Sequence, residues 1–63
     1  SSENMDVDFI IKKTLSIFPE EVKRFKSGES KLLGFFIGQV NKETKGKLNH
    51  KIIAKSISEL LKD

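Results

Sequence analysis

The sequence predicts an all-α fold, a small bundle of three to four short helices, and three observations carry that prediction. Apolar residues recur at i, i+3, i+4 and i+7 in several short segments, the period of a helix with one buried face. Helix-breaking residues, Pro19, Gly28 and Gly46, separate those segments at short intervals. No segment alternates apolar and polar residues between turn pairs as a half-buried strand would. At 63 residues the chain makes one domain, near the lower limit for folding without staples. Hydrophobic residues make up 37% of it, below the globular average, so its core has to be small.

The first helix is expected over about residues 6–17, where Val7, Ile10, Ile11, Thr14, Leu15 and Phe18 share a face. Asp6 and Asp8 at its start suit the positive end of a helix dipole. A second, short helix is expected over about 19–27. Pro19 fits a first helical position, where its missing N–H would have no partner anyway. Glu20 and Glu21 lie in its first turn and Lys23, Arg24 and Lys26 in its last, with Val22 and Phe25 as apolar contacts and Gly28 as a left-handed stop. The third helix is expected over about 30–45, ended by Gly46, and the fourth over about 50–62. Asn49 is a strong N-cap for the fourth, and Leu48 and Ile53 have the spacing of a hydrophobic staple. Ile52, Ile53, Ile57, Leu60 and Leu61 are expected to form its apolar face.

Composition excludes several functional classes. There is no cysteine, hence no disulfide and no thiolate metal site. One histidine among scattered acids is not a ligand cluster, and there is neither a suggestive carboxylate pair nor a nucleophile elbow, so no catalytic and no metal-binding residues are expected. The pair Gly34-x-x-x-Gly38 lacks the spacing and the Lys-Ser/Thr of a phosphate loop. No uninterrupted apolar run exceeds four residues, too short for a membrane-spanning helix. No helix carries a base-reading cluster of Arg, Asn or Gln, so DNA is not an expected partner. The opening SSENMDVD is polar and acidic, unlike a signal or transit peptide, and does not begin with Met. Residues 1–5 are accordingly expected to be disordered or tag-like, and residues 6–63 to form one helical domain, a fragment of a longer chain.

Charge is unevenly spread. Residues 1–21 carry two lysines against five acids, a net of −3, whereas residues 22–63 carry ten Lys/Arg against four acids, a net of +6. That asymmetry points the second half toward an anionic partner, although a solvated lysine-rich surface would read the same way.

The third helix raises a specific question, because it carries two interior glycines, each costing about 1 kcal/mol relative to alanine. On a helical wheel with Lys31 at zero, Leu32, Leu33, Phe36, Ile37 and Val40 span roughly 100–240° and form the core face. Gly34, Gly38 and Asn41 lie at roughly 280–340°, among Lys31, Lys42 and Lys45, with Phe35 and Gln39 beside them. Two readings are open. The glycines can admit a close helix, the first or second one covering the stripe with Phe35 in a second small core. They can instead bring a phosphate chain against bare backbone, with lysines on phosphates and an aromatic stacked on an unpaired base. The segment NKETKGKLNHK, residues 41–51, adds Lys42, Lys45, Lys47 and Lys51 against Glu43 alone, beside a helix N-terminus and His50.

Residues 19–61 resemble the C-terminal tail domain of the B subunits of aspartyl/glutamyl-tRNA amidotransferases, a family shared with YqeY-like proteins. The resemblance rests on Pro19, on Phe25-Lys26-Ser27-Gly28, on Leu33-Gly34-Phe35-Phe36-Ile37-Gly38-Gln39-Val40, on Lys42-Glu43-Thr44-Lys45-Gly46-Lys47, and on Asn49. The chain departs from the family pattern at Asn41, where methionine is usual, and at His50, where proline is usual. The resemblance implies a non-catalytic tRNA-binding tail on an enzyme that amidates Glu-tRNA(Gln) or Asp-tRNA(Asn). It implies no cofactor in the tail, and ATP and Mg²⁺ in the full-length protein. It also implies A and C subunits as partners through the full-length chain, no membrane, and a bacterial cytoplasmic or organellar location. The residues expected to contact tRNA are Lys31, Gly34, Gly38, Lys42, Lys45 and Lys47, with Phe35, Gln39, Asn41 and His50 as weaker candidates. The alternative is a helical protein-interaction module, as in a YqeY-like protein.

Overall fold

A computed structural model of the chain describes residues 6–62; the expected disordered or tag-like stretch at residues 1–5 lies outside them. Four helices follow in order, α1 (Val7–Ser16), α2 (Pro19–Lys26), α3 (Leu32–Glu43) and α4 (His50–Leu60), and no strand occurs among the described residues. The all-α expectation holds, with each element within about two residues of its expected bounds. α1, α3 and α4 pack mutually, and α2 lies against α1 and α3.

The helix ends have identifiable causes. Asp6 caps α1, its carboxylate accepting from the Phe9 amide at 3.1 Å. Pro19 pushes the preceding Phe18 out of helical geometry, to φ −124 and ψ 58, which breaks the chain between α1 and α2. α2 ends in a Schellman turn: the Gly28 amide donates to the Phe25 carbonyl and the Glu29 amide to the Arg24 carbonyl, both at 3.1 Å, with Gly28 at φ 121. Because that turn runs straight into α3, there is no room for an extended N-cap. Leu32 and Leu33 donate back three residues, to Glu29 and Ser30, so regular α-helix starts at Leu32 rather than at residue 30. Asn49 caps α4 as expected, accepting from the Lys51 amide at 2.7 Å.

Ile11, Phe36, Val40, Ile53 and Ile57 are fully buried and Leu15 nearly so, which gives one core shared by α1, α3 and α4. α2 contributes no fully buried residue; Val22 and Phe25 pack on the core from its side. Phe25 and Phe35 meet Phe36 edge-to-face at 5.9 and 5.6 Å, and Phe18 meets Phe35 at 4.9 Å. The core face read for α3 is the buried one. The face read for α4 needs one correction: Ile52 is 51% exposed. It sits at the flank of the arc formed by Ile53, Ile57, Leu60 and Leu61, roughly 100° from Ile53, and neither α1 nor α3 reaches around to it.

Phe36→Ala should cost about 3–5 kcal/mol, comparable with the whole stability of so small a domain, and abolish the cooperative thermal transition seen by circular dichroism. Ile52→Ala should shift stability by no more than about 0.5 kcal/mol; a large loss there would return Ile52 to the core.

Candidate nucleic-acid interface

Burial of Phe36 and Val40 turns the opposite side of α3 to solvent, and the glycine–lysine stripe lies on that side. Gly34 and Gly38 are exposed, and a Cβ built on either meets no atom within 4 Å. No helix among the described residues covers them, so the reading in which α1 or α2 packs on the stripe is overturned: α2 approaches α3 through the phenylalanines instead. Phe35 does join a small aromatic cluster, as that reading held, and its ring is committed to Phe18 and Phe36. It is therefore not a free platform for a base. Lys31 and Lys42, three turns apart on the same line of the helix, bracket the bare backbone at a separation of about 17 Å along the axis, and both are exposed. Gln39 and Asn41 are both half-buried, Asn41 at the edge of the stripe.

The C-terminal turn of α3 adds Lys45 and Lys47, both exposed. This turn is a second Schellman motif: the Gly46 amide donates to the Asn41 carbonyl at 2.9 Å and the Lys45 amide to the Lys42 carbonyl at 3.3 Å. In this motif the residue that ordinarily favours glycine is Lys45, at φ 55, with Gly46 following at φ 75. The helix thus ends at Glu43, two residues before the expected position, because the left-handed step begins at Lys45, one residue ahead of Gly46. A left-handed lysine is strained by about 1–2 kcal/mol. Thr44, one residue earlier, is 3% exposed, and its hydroxyl donates to the Asn41 carbonyl at 3.3 Å. Its buried role inside the Thr-Lys-Gly run was not read from sequence, since a lone threonine in a basic segment has no distinguishing pattern. His50 is exposed as the first residue of α4, beyond the Lys47–Asn49 turn.

One pairing escaped the sequence reading, that of Arg24 with Glu29. Arg24, the only arginine, donates from Nε to Glu29 Oε2 at 2.7 Å, at the turn from α2 into α3. They are five residues apart across a helix stop, a spacing no periodic pattern reveals. Among the described residues there is no group of three or more His, Cys, Asp or Glu placed to hold a metal ion, and no helix long and apolar enough to cross a membrane.

Fold and surface together define a small helical module whose distinguishing feature is a basic, bare-backbone helix face. Its family is also defined: residues 2–61 match the GatB domain model of the GatB/YqeY family, and the chain belongs to that family. The aspartyl/glutamyl-tRNA(Asn/Gln) amidotransferase B subunit of Persephonella marina is 44% identical over 61 residues, 97% of this chain and 13% of that protein. The protein of the same name from Prochlorococcus marinus subsp. pastoris is 48% identical over 60 residues, 95% of this chain and 12% of its own length. The glutamyl-tRNA(Gln) amidotransferase B subunit of the Paulinella chromatophora organellar chromatophore matches at the same identity and coverage. The chain spans about an eighth of the length of these curated relatives. No solved structure matches it.

Since alanine meets no obstacle at either glycine of the stripe, Gly34→Ala and Gly38→Ala should each stabilise the domain, by about 0.5–1 kcal/mol, in urea unfolding. A loss of stability in either would show that the fold itself needs the glycine.

Proposed function

We propose that the chain is the tRNA-holding tail of a tRNA-dependent amidotransferase B subunit. The observation that carries this reading is the open face of α3, where exposed Lys31 and Lys42 flank two glycines that none of the described residues covers, with exposed Lys45 and Lys47 just past the helix end. Bare backbone lets a phosphodiester chain come close, and the lysines supply contacts that bind phosphates irrespective of sequence. The names of the relatives supply the nucleic acid: a component of an enzyme that acts on charged tRNA requires surfaces that hold the tRNA body while its acceptor end reacts. In this reading the activation of the tRNA-linked carboxylate, with ATP and Mg²⁺, belongs to the remainder of the full-length protein. The A and C subunits associate through that remainder, and the tail contributes no catalytic group.

A second reading, a protein-docking module, draws on Phe9, Ile17 and Ile52, which expose 62%, 64% and 51% of their surfaces. The two readings differ in salt dependence. If four lysines contact phosphates, raising salt from about 50 to about 200 mM should weaken tRNA binding roughly 50- to 150-fold, and Lys42→Ala should lower the salt slope by about one. No tRNA binding at the lower salt would favour protein docking, and an unchanged slope in Lys42→Ala would remove Lys42 from the phosphate contacts.

Lys45→Gly separates fold from binding. It relieves the left-handed strain and should stabilise the domain by about 1 kcal/mol, yet weaken tRNA binding, both measurable on the same sample by thermal melting and titration.

A further inference from the structure

A cavity of about 490 Å³ lies where α2 turns into α3, lined by Arg24, Gly28, Glu29, Ser30, Lys31 and Leu32. Its volume falls in the range of pockets that take small ligands. The Schellman bond between the Glu29 amide and the Arg24 carbonyl holds those residues together through the backbone, and their side chains join again through Nε and Oε2. That position of a Schellman turn ordinarily carries an apolar contact; here it carries an ion pair. Both side chains are more than half exposed, so the pair adds little to stability.

The pair is made through Nε and one carboxylate oxygen, leaving the guanidinium's terminal amino groups and Glu29 Oε1 outside it. A planar cationic fork suits a phosphate, and an adjacent carboxylate oxygen suits a hydroxyl donor. A phosphate and a hydroxyl side by side are what one ribonucleotide presents. Lys31 lines this cavity and also begins the stripe of α3. We propose that the cavity is a ribose-phosphate site. It takes one nucleotide of an RNA strand that continues along the glycine–lysine face, with Arg24 and Lys31 on the phosphate and Glu29 accepting from the 2′-hydroxyl. The 2′-hydroxyl is what allows a site to tell RNA from DNA, so this cavity gives an otherwise sequence-blind surface its preference for RNA. The proposal rests on the RNA-binding reading of α3.

The test is an NMR titration of the 63-residue chain with an RNA stem-loop and, separately, with its all-deoxy counterpart, at about 50 mM salt, where phosphate contacts are strong. Amides of Gly28 to Leu32 should respond to RNA and much less to DNA, while those of Gly34, Gly38, Lys42 and Lys45 respond to both. Arg24→Lys, which keeps the charge but loses the fork, should weaken RNA binding about tenfold. Glu29→Gln should narrow the preference for RNA over DNA with little change in melting temperature. If α3 responds and Gly28 to Leu32 do not, the cavity site is wrong and the RNA-holding tail stands. Equal responses of Gly28 to Leu32 to RNA and DNA also overturn the ribose-phosphate site. If neither region responds to RNA, both ideas fall.

Discussion

The burial of Phe36 is the constraint on which the rest of the structure depends. Its ring is fully buried in the core shared with Ile11 and Leu15 of α1 and Ile53 and Ile57 of α4, and it takes the edge-to-face contact from Phe25 of α2. A residue packed among all the other helices fixes the rotation of its own. With Phe36 and Val40 turned inward, helical geometry leaves Gly34, Gly38 and the flanking lysines nowhere to go but outward. The glycine–lysine face of α3 is therefore the geometric remainder of the core face. Among the described residues no second layer covers it.

This dependence explains what was legible in the sequence. The four helices, the core face of α3 and the Asn49 cap all follow from residues within a few positions of one another, where periodicity and capping chemistry act. Local pattern could not decide whether Gly34 and Gly38 met a helix or solvent, because small residues at that spacing serve both ends. The answer came from how the aromatic residues divide the space between α2 and α3. Ile52 misled for a related reason: it completes an apolar arc on the wheel, but the arc in contact is narrower than the arc that is apolar. Lys45 misled differently. Gly46 is the obvious left-handed residue, yet the bond from its amide to the Asn41 carbonyl places it one step beyond the position that first turns left-handed. The Arg24–Glu29 pair was invisible because a turn, not a helix, brings it together.

The two Schellman turns bear on function because they build the ends of the proposed surface. One closes α2 and sets Arg24, Glu29 and Lys31 around a cavity at the start of α3. The other closes α3 and throws Lys45 and Lys47 outward past its end. Between them runs a helix face with no side chain at two consecutive turns. A strand laid along α3 would meet a cationic cavity, then bare backbone, then a cluster of lysines. Each of these parts comes from how a helix begins or ends, so the surface needs no insertion and no long loop.

Energetics sharpen the point. A helical domain of this size has only about 3–9 kcal/mol of stability to distribute. Two open glycines and one left-handed lysine together forgo roughly 2–4 kcal/mol of it. Nothing among the described residues requires them: a Cβ at either glycine meets no atom beyond its own helix, and glycine at position 45 would relax the turn. Local choices that contradict the stability of a fold are expected at sites that act on something outside it. The three residues fall on one face and its immediate end, among lysines, which is the distribution that contact with an extended polyanion would produce. A helix docking partner would account for the glycines, but it would leave the strained lysine beside them without a role.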